Sequence, residues 1–148
     1  MNVISQILQR RSVGRTTCVA MPINDHGADA FTTLDRVVHA QGLQQLGDGW
    51  LAISAADAHA IVTSLLHHDL ALQHELMPFA RASDLATQFF DLAPEPHEYF
   101  TNGDWTVAGD SEPATLTSWD PISDAAFDSG VVCLGDGVAA VFWVEDED

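Results

Sequence analysis

Residues 131–134 (Val-Val-Cys-Leu) and 138–144 (Val-Ala-Ala-Val-Phe-Trp-Val) form two apolar runs joined by Gly135-Asp136-Gly137. Short runs rich in β-branched and aromatic residues, joined by turn-forming residues, predict a β-hairpin. A half-solvated strand would alternate apolar and polar side chains. The near-continuous hydrophobicity here instead predicts a strand pair buried on both faces or at the centre of a sheet.

Upstream of the hairpin the period is helical. Residues 2–9 place Val3, Ile4, Ile7 and Leu8 on one side of a short helix, and residues 16–23 read as a strand ending at Asn24-Asp25-His26-Gly27. Residues 28–41 recur apolar at Phe31, Leu34, Val37 and Val38, with Gly42 where a left-handed C-cap belongs. Gly47-Asp48-Gly49 is a turn leading into a strand at 50–54. Ser54 and Asp57 then open a helix whose apolar face collects Ala58, Ile61, Val62 and Leu65. Continued unbroken to Leu72 and Leu76, that face would bury the Asp69 carboxylate and require a partner for it. A break near His68-Asp69 is the favoured reading, with Asp69 capping a second helical segment up to Met77-Pro78. Ser83 or Asp84 opens another helix with Leu85, Ala86, Phe89 and Phe90 as its stripe, stopped by Pro94 and Pro96.

Beyond residue 97 the pattern is strand-like. Residues 98–101 and 105–108 flank Asn102-Gly103-Asp104, the Asn-Gly signature of a tight hairpin, and residues 115–119 form a further short strand. Asp120-Pro121 predicts a capped helical turn through Ala126, and Asp128-Ser129-Gly130 a turn into the next strand. The expected fold is a single α+β domain over residues 1–148, with helices mainly in 1–93 and a mostly antiparallel sheet in 97–145. No run approaches the ~18–20 apolar residues of a membrane-spanning helix.

Charge narrows the partners. The chain has no Lys, five Arg and 22 acids, for a formal charge of -17. Residues 1–74 hold six acids and four Arg (-2), whereas residues 75–148 hold sixteen acids and one Arg (-15). Such a field opposes binding to nucleic acid and anionic membranes and favours a basic protein partner. Arg10, Arg11 and Arg15 precede the first acid, as in some organellar leaders; a short helix followed by a strand is the simpler reading of that segment.

Motifs that would name a reaction are lacking. The histidines of His67-His68-Asp69 and His74-Glu75 are spaced by one, six and seven residues, whereas ligands on one helix must stand three or four apart. A shared ion would need a helix break and help from His59 or His26. Cys18 and Cys133 lie in apolar β runs, which predicts buried, reduced thiols rather than a nucleophile or a disulfide. Asp120, Asp124 and Asp128 lack the alternating oxygen ligands and final Glu of a calcium loop. No cofactor and no metal are expected. What remains is an acidic surface with aromatic anchors in the C-terminal third: Asp104, Trp105, Trp119, Asp120, Asp124 and Asp128 are the candidate partner-binding residues.

In overall character over its whole length, a small, Lys-free, strongly acidic chain of this kind resembles the intracellular immunity proteins that bacteria make against toxins. The segments that carry the likeness are Tyr99-Phe100-Thr101-Asn102-Gly103-Asp104, Trp119-Asp120-Pro121-Ile122 and Ala126-Phe127-Asp128-Ser129-Gly130-Val131. The resemblance implies a cytoplasmic, non-catalytic inhibitor that plugs the basic active-site cleft of a toxin domain. Here the acids are spread over loops rather than set on one helix. The alternatives are a small metal-independent enzyme, which would need a polar pocket joining His67, His68, Asp69 or Asp84 to other chemistry, and an adaptor that uses an exposed sheet edge.

Overall fold

The apolar hairpin sets the architecture. In the computed structural model, which describes residues 2–24, 28–109 and 112–147, β6 (Phe127–Leu134) and β7 (Val138–Asp146) pair antiparallel along their whole length. β1 (Arg15–Pro22) adds to β7, while β3 (Glu98–Thr101) adds to β6 and β2 (Leu51–Ile53) to β3. The result is one antiparallel five-stranded sheet in the order β1-β7-β6-β3-β2, with the hairpin inside it. The class is α+β, as the change of period along the sequence predicts.

Side chains alternate across a strand, so a central strand needs cover on both faces. Cys18, Val131, Cys133, Ala140, Phe142 and Val144 face α1 (Val3–Arg10), α3 (Ala55–His67) and α4 (Phe79–Phe90). Val132, Leu134, Ala139, Val141 and Trp143 face the other way, onto α2 (Ala30–His39), Leu43, Trp50 and Ile122. Trp143 is wholly buried there, edge-on to Trp50 with ring centroids 5.9 Å apart.

The helix ends follow local chemistry. The side chains of Asn2, Asp29 and Ser54 each accept a backbone N–H three residues on, capping α1, α2 and α3. Gly42 takes φ +82°, the left-handed conformation that turns the chain out of α2. Phe31, expected on the buried face of α2, is exposed at its first turn and touches Phe100 edge-on. No helix among the described residues is long and apolar enough to cross a membrane.

Four local expectations are corrected. α3 does end at His67, but no second helix follows: the Asp69 carboxylate accepts the N–H groups of Leu72 (2.8 Å) and His74 (2.6 Å) and so closes a loop. Leu72 is thereby left 57% exposed. α4 begins at Phe79, earlier than Ser83, because buried Ala82 already belongs to its stripe with Leu85, Ala86, Phe89 and Phe90. Asn102-Gly103 is not a hairpin turn. It passes the chain from β3 in the main sheet to β4 (Gly103–Thr106), which pairs instead with β5 (Thr115–Trp119) in a separate two-stranded sheet. Gly103 is required at that crossing, since a Cβ would strike the Ser118 carbonyl and the Trp119 side chain. Finally, residues 120–126 form an irregular loop rather than a helical turn, and Asp128-Ser129-Gly130 lies within β6.

Candidate functional site

The loop at 120–126 is held from beneath. Asp128 is fully buried, and its Oδ1 accepts from the Ile122 N–H (3.1 Å) and the Trp143 indole N–H (3.2 Å). Its Oδ2 accepts from the Ser123 N–H (3.2 Å) and hydroxyl (2.8 Å). Asn102, also buried, donates from Nδ2 to the carbonyls of Asp120 (2.9 Å) and Asp128 (3.1 Å) and accepts the Ser129 hydroxyl (2.7 Å). A buried carboxylate is tolerable when its lone pairs are met in this way, and each bond removes a degree of freedom from the loop. Asp128 is therefore the buried anchor of the acidic loop rather than part of its exposed surface, where the sequence reading put it.

What the loop presents is carboxylate. Asp120 and Asp124 are exposed. Asp124 lines an open cleft of about 470 Å³ together with Glu145, Glu147, Arg15 and Gln44. The Ala126 N–H donates to Glu147 (3.3 Å), and the Gln44 N–H donates to the Ile122 carbonyl (2.8 Å), which fixes both rims. Glu145 Oε2 is buried and receives no hydrogen bond from the described residues; its ionic partner is Arg15 Nε at 3.5 Å, on a side chain that is 66% exposed. Glu145 and Glu147 belong to the acidic run 145–148 of the sequence but are not among its candidate partner-binding residues. Their position opposite the 120–126 loop follows from the register Asp128↔Glu145.

The other candidates separate. Asp104 is exposed and accepts the Ser118 hydroxyl (3.0 Å). Trp105 and Trp119 are half-buried and line a different, smaller hollow with Leu116 and Phe127. The acids and the indoles thus do not form one aromatic patch ringed by carboxylates.

The histidine cluster serves the fold. His67 Nδ1 lies 2.8 Å from the Met77 carbonyl, and its Nε2 lies 3.9 Å from Glu75. His68 is buried at the C-cap of α3, with Nδ1 3.2 Å from the Asp69 carbonyl. His59 contacts the Ser83 carbonyl and the Thr87 hydroxyl. Asp84 pairs with Arg81 on α4 at 3.2 Å. Among the described residues no three or more His, Cys, Asp or Glu side chains are grouped to hold a metal ion, and His26 lies outside those residues, as do Asp25, Asp110 and Asp148. Cys18 and Cys133 are free and buried, and burial pushes each thiol up to about 12.

Two polar networks escaped the sequence reading, one buried and one half-buried. Arg11 forms a two-bond pair with Asp146, and Asp35 accepts from the Leu46 and Gly47 N–H groups and the Trp50 indole. No protein family, curated protein or solved structure matches this chain.

Proposed function

We propose that this protein is a non-catalytic acidic binding protein, an intracellular immunity-type inhibitor that blocks the basic active site of a cognate toxin domain. One observation carries the reading: Asp124, Glu145 and Glu147 line a single open cleft in which exposed Arg15 is the one basic side chain among the described residues. Exposed Asp124 presents its carboxylate at the cleft, where a guanidinium or ammonium of a partner would pair with it. The loop is already fixed by Asp128 and Asn102, so little conformational entropy is lost on docking. Carboxylates held in this way take the place of an anionic substrate in a basic cleft.

The test is capture from the native cell followed by a growth assay. The reading expects a basic partner that is harmful when expressed alone and harmless when co-expressed with this chain. A tightly bound partner that has no basic cleft, or whose activity the complex leaves intact, overturns it.

A further inference from the structure

Phe31, at the first turn of α2, leaves its side chain 36% exposed. Around it lies an open hollow of about 420 Å³ that Asp29, Asp35 and Asp48 also line, and no basic side chain among the described residues lines it. The walls are fixed in advance. Phe100 meets the Phe31 ring edge-on, with centroids 6.3 Å apart. Asp35 accepts the N–H groups of Leu46 (2.8 Å) and Gly47 (3.1 Å) and the Trp50 indole N–H (2.9 Å), which ties the turn that carries Asp48 to α2. Asp29 accepts the Thr32 N–H (2.8 Å), and that bond lowers its pKa, so its exposed carboxylate is ionised at neutral pH.

Two demands meet in this hollow: an aromatic ring to be covered and carboxylates to be paired. A purely apolar ligand would cover the ring but strip water from the acids without replacing it, and an anion is repelled. A small inorganic cation would pair with the acids and leave the ring in water. An arginine side chain answers both, because its stem and planar, weakly hydrated guanidinium cover an aromatic ring while its N–H groups pair with carboxylates.

We infer that this hollow receives an arginine side chain of a basic protein partner, laid against Phe31 and paired with Asp29 and Asp48. The inference rests on the reading of this chain as an acidic binding protein and adds an aromatic anchor to it. The hollow adjoins the 120–126 loop: a Cβ on Gly49 would lie 3.3 Å from the Asp120 carboxylate, and the Gln44 N–H donates to the Ile122 carbonyl (2.8 Å). One partner face can therefore reach both.

The probes are N-acetyl-arginine methylamide and its citrulline counterpart, which keeps the shape and lacks the charge. In an NMR titration of the isotopically labelled full chain, the arginine compound should shift the Phe31 ring and the Thr32 and Gly47 amides, and the citrulline compound should bind at least ~10-fold more weakly. Phe31→Ala should leave the thermal transition in place, weaken the arginine compound about 3-fold and weaken the captured partner complex at least ~10-fold. Equal binding of the two compounds, shifts spread evenly over the exposed acids, or a partner complex that Phe31→Ala leaves intact would each overturn the inference. A chain that is dimeric in solution and monomeric as Phe31→Ala would give the hollow to a second copy and overturn it as well. A harmless partner that still loses affinity in Phe31→Ala would sink the inhibitor reading and keep this one. If Phe31→Ala does not fold, the arginine and citrulline comparison on the native chain decides.

Discussion

Arg11 and Asp146 meet in the interior, 135 positions apart in sequence, through two parallel hydrogen bonds: Nη2 to Oδ2 at 2.7 Å and Nη1 to Oδ1 at 3.0 Å. Arg11 Nε also donates to the Leu65 carbonyl (2.7 Å), and Asp146 also accepts the Leu70 N–H (2.9 Å). The pair thus ties the end of α1, the end of α3 and the last strand together where none of them can reach water. Removing one partner strands a buried charge, whereas removing both does not. Asp146→Ala should cost about 3–5 kcal/mol in urea unfolding, and Arg11→Met with Asp146→Leu distinctly less than the single change. A single variant as stable as the parent would mean that the pair contributes nothing.

The two thiols give a second measurement. With pKa values of about 12, each is thiolate to only roughly one part in ten thousand at pH 8, and both are walled in by the core that α1, α3 and α4 form on the sheet. A thiol reagent at pH 8 should label neither Cys18 nor Cys133 until urea unfolds the chain, after which both should react. Reductant should leave the thermal midpoint where it is. Labelling of the folded chain within minutes would show that one thiol is accessible.

His68 makes stability depend on pH, and the sign follows from burial. Burial, reinforced by neighbouring His67 and opposed by the Asp69 carbonyl, lowers the His68 pKa, so the folded chain refuses a proton that the unfolded chain accepts. Stability is therefore complete above about 6.5 and falls as pH drops below it, until the folded-state value is passed. Asp69 acts at lower pH: burial raises its pKa, but the N–H groups of Leu72 and His74 win and leave it depressed. Its contribution is present above about pH 4 and is lost below. Urea midpoints across the pH range should decline between pH 7 and 5, and His68→Phe should flatten that limb while sparing the acid one. An unchanged slope in His68→Phe would place the titration elsewhere.

Much of the fold was legible because the apolar residues carry the right period. Val131–Val144 reads as a central hairpin, and α2, α3 and α4 read from stripes at helical spacing. Buried polar groups were harder, although their position on those stripes was visible. Arg11 follows the buried Val3 and Ile7 by eight and four residues at the C-cap of α1, and Asp146 follows Ala140, Phe142 and Val144 at strand spacing. A polar residue in such a place is as readily read as the end of the stripe as an internal ion pair. Asn102-Gly103 misled for a different reason: local turn chemistry cannot reveal that β3 already has β2 and β6 as neighbours. The candidate surface was read as one patch because all its residues fall within 104–128, yet strand alternation sends Asp104 outward and Trp105 inward.

The division between anchor and surface on the 120–126 loop yields the sharpest test of the proposed function. Asp128 is buried under five hydrogen-bond donors, so Asp128→Ala should destabilise the fold by about 1–3 kcal/mol or more and loosen the loop. Asp120 and Asp124 are exposed. Exposed acids contribute little to folding, while acids facing a basic cleft can each be worth a few kcal/mol to binding. Asp120→Lys with Asp124→Lys should therefore leave the thermal transition nearly unchanged. The same pair should weaken the captured partner complex by at least ~10-fold, mostly through slower association, and the loss should shrink as salt rises from ~0.05 to ~0.5 M. Asp104→Lys, at an exposed residue of β4 that does not line the cleft, is the control and should weaken the complex less. Normal binding by the double variant would move the interface off this loop, and equal losses from all three reversals would reduce the effect to net charge without a site.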